Sequence, residues 1–109
     1  MSIRQVYVAF VDEDTVTLDT LQIIWSNVQC ANSYVIYRNG QYLAEVSTEE
    51  EIDDRYTDTA VVPGEKYIYQ VASKYSDENQ TILSDFKNTG EITTPEPVIS
   101  PEQGFQLLQ

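Results

Sequence analysis

The sequence has 109 residues, with 18 acidic side chains against 6 basic ones, no histidine and one cysteine. That length suits one domain with one hydrophobic core, and the formal charge of −12 sets the chain against phosphate backbones and anionic membranes. Cys30 alone can form neither an internal disulfide nor a zinc cluster, and no apolar run has the length of a membrane span or the form of a secretory leader.

Tyrosine, valine, isoleucine and threonine dominate the ordered-looking stretches, and none shows a 3.6-residue apolar period, so the chain is expected to be all-β. The first strand is predicted over Val6 to Val11, ended by the acidic group Asp12, Glu13 and Asp14. In "TVTLDTLQIIWSN" that follows, Leu21, Ile23 and Trp25 alternate with Gln22 and Ile24 and are assigned to the core. Trp25, the single tryptophan, is read as a core anchor because its large apolar surface is worth more inside than outside.

"SYVIYR" is the next strand, with Tyr34, Ile36 and the stem of Arg38 in the inward row and Val35 and Tyr37 in the outward one. Asn39-Gly40 then predicts a type I′ hairpin, since both residues accept a positive φ. "QYLAEV" should return with Gln41 opposite Arg38, Tyr42 opposite Tyr37 and Leu43 opposite Ile36. "STEEEIDD" carries five carboxylates in eight residues and is expected to be a loop, after which "RYTDT" forms a short strand.

A Pro63-Gly64 turn leads into "YIYQVASKY", where Tyr67, Tyr69, Val71 and Ser73 share one face and Ile68, Gln70, Ala72 and Lys74 the other. A last strand is placed between Ile82 and Thr94, with Gly90 marking a bulge. The expected organisation is an N-terminal segment or altered first strand over 1–13, a sandwich over 14–95 and a proline-containing tail or linker over 96–109.

Between residues 14 and 95 the sequence resembles a fibronectin type III domain of the kind found in bacterial or phage modular proteins. The matching stretches are "LQIIW", "ANSYVIYRNG", "YTDT", "VVPGEKYIYQVAS" and "ITTP", in that order and spacing. The resemblance implies a seven-stranded antiparallel immunoglobulin-like β-sandwich, with Trp25 between the sheets and Tyr67 as the corner tyrosine whose hydroxyl bonds the backbone just upstream. Tyr34, Ile36 and Val71 complete the expected core set. The opening "QVYVAFVDED" lacks the family's proline-rich lead, and the loop "SDENQTILSD" lacks the adhesive Arg-Gly-Asp, so integrin binding does not carry over.

The chemistry of the sequence assigns no catalytic residue, no cofactor and no metal ligand. Cys30 has no histidine to activate it, and no nucleophile elbow or phosphate-binding glycine loop occurs. The acidic groups at 12–14 and at Glu49, Glu50, Glu51, Asp53 and Asp54 lack the spacing of a calcium loop and read as solvated acidic loops, with weak calcium binding as the alternative. Asn79-Gln80-Thr81 is formally a glycosylation acceptor.

A non-catalytic spacer or protein-interaction module is therefore expected, whose partner is another protein or a neighbouring domain. Nucleic-acid partners and membrane insertion are not expected, and the oligomeric state is left open. Carbohydrate binding through Tyr37, Tyr42 and Tyr75 is the first alternative, and a small phage or assembly protein using an exposed sheet edge the second. Tyr37 and Tyr42 are the candidate interaction surface, although a role as a cross-strand pair that braces the hairpin is the favoured reading of them. An extracellular or virion-associated location follows if the chain is part of a larger secreted or phage protein.

Overall fold

Strands account for the regular structure in a computed structural model that describes residues 2–49 and 54–97. They are β1 (Ala9–Asp12), β2 (Leu21–Trp25), β3 (Ser33–Arg38), β4 (Gln41–Ser47), β5 (Arg55–Asp58), β6 (Lys66–Ser76), β7 (Thr81–Leu83) and β8 (Lys87–Thr93), with a single-turn 3-10 helix at Glu13–Thr15. One sheet runs β1-β2-β5; the other runs β4-β3-β6, with β7 and β8 both paired to β6. All pairs are antiparallel. Residues 50–53 of the acidic loop and 98–109 of the expected tail lie outside the described residues.

Alternation decides what each sheet turns inward. Leu21, Ile23 and Trp25 of β2 share a face with Ala9 and Val11 of β1, their register neighbours, and with Tyr56 and Asp58 of β5. Tyr34 and Ile36 of β3 face the same interior as Val71 and Ser73 of β6. The two faces merge into one cluster that includes Val6, Leu21, Ile23, Trp25, Tyr34, Ile36, Val46, Val61, Tyr67, Tyr69 and Val71. Trp25 is 2% exposed and lies 5.4 Å from the Tyr34 ring at a tilt of 52°. Its indole N–H finds no acceptor among the described residues, a loss of about 1–3 kcal/mol that the packed ring has to outweigh.

At the bottom of the core the Tyr67 hydroxyl accepts a hydrogen bond from Val62 N at 2.9 Å. This is the corner geometry that the resemblance implied.

Three details differ from the sequence-based expectation. The first strand begins at Ala9 rather than Val6, because Tyr7 N and Val8 N both donate to the Ser26 hydroxyl instead of to a strand partner. The last strand is split into β7 and β8, so eight segments stand where seven strands were expected. Two irregularities break it: β6 pairs step from Lys74↔Leu83 to Val71↔Lys87, and a second shift lies between Ile68 and Gln70. Gly90, at φ 84°, supplies the left-handed residue that this second bulge needs.

The third difference is the hairpin. Asn39 and Gly40 have φ of 51° and 81°, as a type I′ turn requires. The Asn39 side chain also extends the ladder, accepting from Ile68 N at 2.9 Å and donating to Lys66 O at 3.2 Å. Arg38↔Gln41 and Tyr37↔Tyr42 pair as the turn dictates, but Ile36 faces Ala44 rather than Leu43, with a register shift between Ile36 and Tyr37. Leu43 is the extra residue. Regular pairing would have set Glu45 opposite Tyr34, inside the core, and turned Val46 out. The bulge restores the parity: Val46 is buried at 6%, and Glu45 points outward to meet Lys74 Nζ at 3.1 Å.

Exchanging the pair tests this account of the bulge. Glu45→Val with Val46→Glu would suit a regular hairpin, but in the bulged register it buries a carboxylate. Urea unfolding should show a loss of about 3 kcal/mol; unchanged stability would mean the bulge does not set the parity.

Candidate interaction surface

The same parity that fills the core leaves a distinct outward face on the larger sheet. Tyr37 and Tyr42 are register partners there, with ring centroids 6.2 Å apart at 86°. The Tyr37 ring also packs on Phe86 at 4.8 Å and 50°. Phe86 gets there because the break between β7 and β8 releases Asp85 and Phe86 from the ladder, just after Ser84 N makes its last bond to Ser73 O at 2.9 Å. Tyr42 is 61% exposed, while Tyr37 is only partly so. Ile68 and Leu83 point out from the same sheet and are also exposed.

Beside the aromatics, the small outward residues Val35 and Ala72 are register partners and are buried at 8% and 0%. The Lys74–Glu45 ion pair joins β6 to β4, the strands on either side of β3, so the two side chains reach across β3 and roof its middle. An exposed pair of this kind is worth under about 1 kcal/mol. Its larger effect is to bound the apolar patch with charge, the arrangement of core and rim that protein interfaces share.

A second polar group lies inside, and sequence reading missed it. Asp58, the last residue of β5, points inward at 1% exposure. Its Oδ2 accepts from Arg38 Nη1 at 2.8 Å and from the Tyr69 hydroxyl at 2.7 Å, and its Oδ1 accepts from Ala60 N at 2.9 Å. Arg38 also lies 5.6 Å from the centre of the Tyr67 ring. The hydrogen bond to Asp58 raises the Arg38 pKa above its ordinary value. Burial first, and then the bond to Asp58, push the Tyr69 hydroxyl far above its usual range, so it stays neutral. The donors around Asp58 are committed to it, and the group reads as structural. The available signal was parity: Arg38 already belonged to the inward row of β3, and Tyr56 facing inward puts Asp58 inward too.

The remaining candidates are scattered. Cys30 is exposed in the β2–β3 loop with φ 74°. Asp12 uses its carboxylate to accept from Asp14 N at 3.1 Å, capping the 3-10 turn. Asp77 accepts from Asn79 N, Gln80 N and the Tyr75 hydroxyl, which lowers its pKa and raises that of Tyr75. Of the acidic loop, Glu50, Glu51 and Asp53 lie outside the described residues. Among the described residues no three carboxylate or thiol groups gather where they could hold a metal ion, and no helix is long and apolar enough to cross a membrane.

Neither a protein-family model nor any curated protein matches the sequence. Solved structures do match it in shape. The crystal structure of FN3tt superposes with a TM-score of 0.66 at 21% identity, covering 89% of this chain and 100% of that one. The fold is that of a fibronectin type III domain. A Yersinia enterocolitica family 28 exopolygalacturonase gives a TM-score of 0.62 at 14% identity over 89% of this chain, which spans only 21% of the enzyme's chain. In this fibronectin type III framework the aromatic patch lies on the outer face of the β4-β3-β6 sheet, and Asp58 ties that sheet to β5 through the core.

The Tyr69 shift has a pH consequence. A folded-state pKa raised above the ordinary 10.0 leaves stability intact below pH 10 and erodes it above, as the unfolded chain releases the proton that the folded chain keeps. Urea-unfolding free energies should therefore fall above about pH 10, with Tyr69 contributing up to about 1.4 kcal/mol per pH unit. Tyr69→Phe should be less stable at pH 8 but show a shallower alkaline fall. Identical slopes for wild type and Tyr69→Phe would contradict the assignment.

Proposed function

We propose that the chain is a non-catalytic fibronectin type III-like module that engages another protein or a neighbouring domain through the outer face of its larger sheet. The observation that carries this reading is the patch of Tyr42, Tyr37 and Phe86, apolar at its centre and bounded by the Glu45–Lys74 pair. Core packing does not use Tyr42, and exposed aromatics of this kind anchor protein interfaces. The same fold within the much longer exopolygalacturonase chain supports a modular use.

Carbohydrate binding draws less support from the geometry. Sugar rings stack on aromatic faces presented in a common plane, but Tyr37 and Tyr42 stand nearly perpendicular and Tyr37 packs against Phe86. Edge assembly through "QVYVAF" is narrowed, since residues from Ala9 onward already pair with β2 on one side.

A photo-crosslinking side chain introduced at position 42 of the chain, in the cell that makes it, tests the reading. A discrete protein adduct is expected at that position and not at exposed Thr57 of the opposite sheet, and Tyr42→Ala should leave unfolding stability within about 0.5 kcal/mol. Equal adducts at both positions, or retention on insoluble glucan or chitin that is lost when both tyrosines become alanine, would replace it with random contact or with carbohydrate binding.

A further inference from the structure

We propose that the cavity between the N-terminal segment and the β2–β3 loop is a second docking site, whose occupant is a protein segment presenting an apolar side chain next to a carboxylate. The cavity has a volume of about 680 Å³, with Ile3, Arg4 and Tyr7 on one wall and Val28, Cys30 and Tyr75 on the other. It stands apart from the aromatic patch and goes beyond the function proposed above.

Both walls are tied to the body of the sandwich by hydrogen bonds from their own lining residues. The Ser73 hydroxyl donates to Arg4 O, Gln5 Nε2 donates to Phe86 O at 2.8 Å, and Val6 is buried in the core at 1% exposure. Opposite, the buried Tyr34 hydroxyl accepts from Val28 N and donates to Asn27 Oδ1, each at 2.8 Å. A site preformed in this way loses little conformational freedom on binding.

The rim indicates the occupant's chemistry. Tyr7 is 83% exposed, a large ring that the core does not use. Among the described residues that line the cavity, Arg4 is the charged one. Among the described residues Arg38, Arg55 and Lys74 each hold a carboxylate, whereas Arg4, like Lys66 and Lys87, holds none, and of these three unpaired cations Arg4 alone lines the cavity. Asp77, behind the Tyr75 hydroxyl, is already bound by Asn79 N and Gln80 N. A guanidinium matches a carboxylate's two oxygens, and the apolar side chains of Ile3, Val28 and the tyrosine rings suit an apolar group beside it. Arginine and tyrosine are also the residue types that dominate the energetics of protein interfaces.

The test titrates the isotope-labelled full chain with a capped tetrapeptide carrying phenylalanine followed by glutamate, and with its glutamine counterpart. Saturable amide shifts are expected at Val28, Gln29, Cys30 and Tyr75, with the glutamate peptide bound roughly two- to fivefold tighter at low salt. Arg4→Gln should erase that preference and leave the spectrum folded, since the Arg4 side chain makes no hydrogen bond or ion pair with the described residues. Saturation should also slow alkylation of Cys30 by iodoacetamide. Shifts that never saturate, that fall outside the cavity, or that are equal for the two peptides would overturn the proposal while leaving the outer-face reading intact.

Discussion

A carboxylate at 1% exposure has to be met by donors, and the requirement of Asp58 constrains both sheets at once. Its partners come from different strands: Arg38 ends β3 and Tyr69 lies in β6, while Asp58 itself ends β5 of the other sheet. Any slip that moved one of these residues by a single position would turn it to the opposite face and strand the charge. A buried pair of this kind need not be more stable than hydrophobic packing in its place, but breaking it is costly. Its effect is to favour one alignment of the sheets over its neighbours.

Parity then accounts for the surface. The Leu43 bulge keeps Val46 inside and puts Glu45 out, where it meets Lys74. The break in the final strand lets Phe86 lie against Tyr37. Both are local departures from a regular ladder, and both shape the outer patch. Irregular strands near sheet edges commonly re-aim side chains in this way. The outer aromatic patch is thus a by-product of the devices that hold the core in register.

Much of this was legible in the residues. The alternations in Leu21–Trp25 and Tyr67–Ser73 placed their core faces, and Asn39-Gly40 located a hairpin whose first two pairs follow directly from the turn. The third pair did not follow, because a bulge has no signature in local propensity; it shows only when Glu45 is followed across to Tyr34 and found on the wrong side. Asp58 was hidden for a similar reason. An aspartate at a strand end looks like a loop residue until its alternation with Tyr56 is set beside the inward Arg38. Phe86 was the single large apolar residue in a polar stretch, and its contact with Tyr37 depends on a strand break that the sequence does not announce.

A double-mutant cycle on Arg38 and Asp58 measures the central constraint most directly, with Arg38→Met, Asp58→Leu and both together compared by urea unfolding. Because Asp58 is almost wholly buried and Arg38 keeps 26% of its side chain exposed, removing the arginine alone strands the costlier charge. Arg38→Met should therefore lose about 3 kcal/mol, Asp58→Leu somewhat less, and the double variant much less than their sum. Additive losses, or an Arg38→Met variant within about 0.5 kcal/mol of wild type, would contradict the view that this buried carboxylate ties the two sheets together.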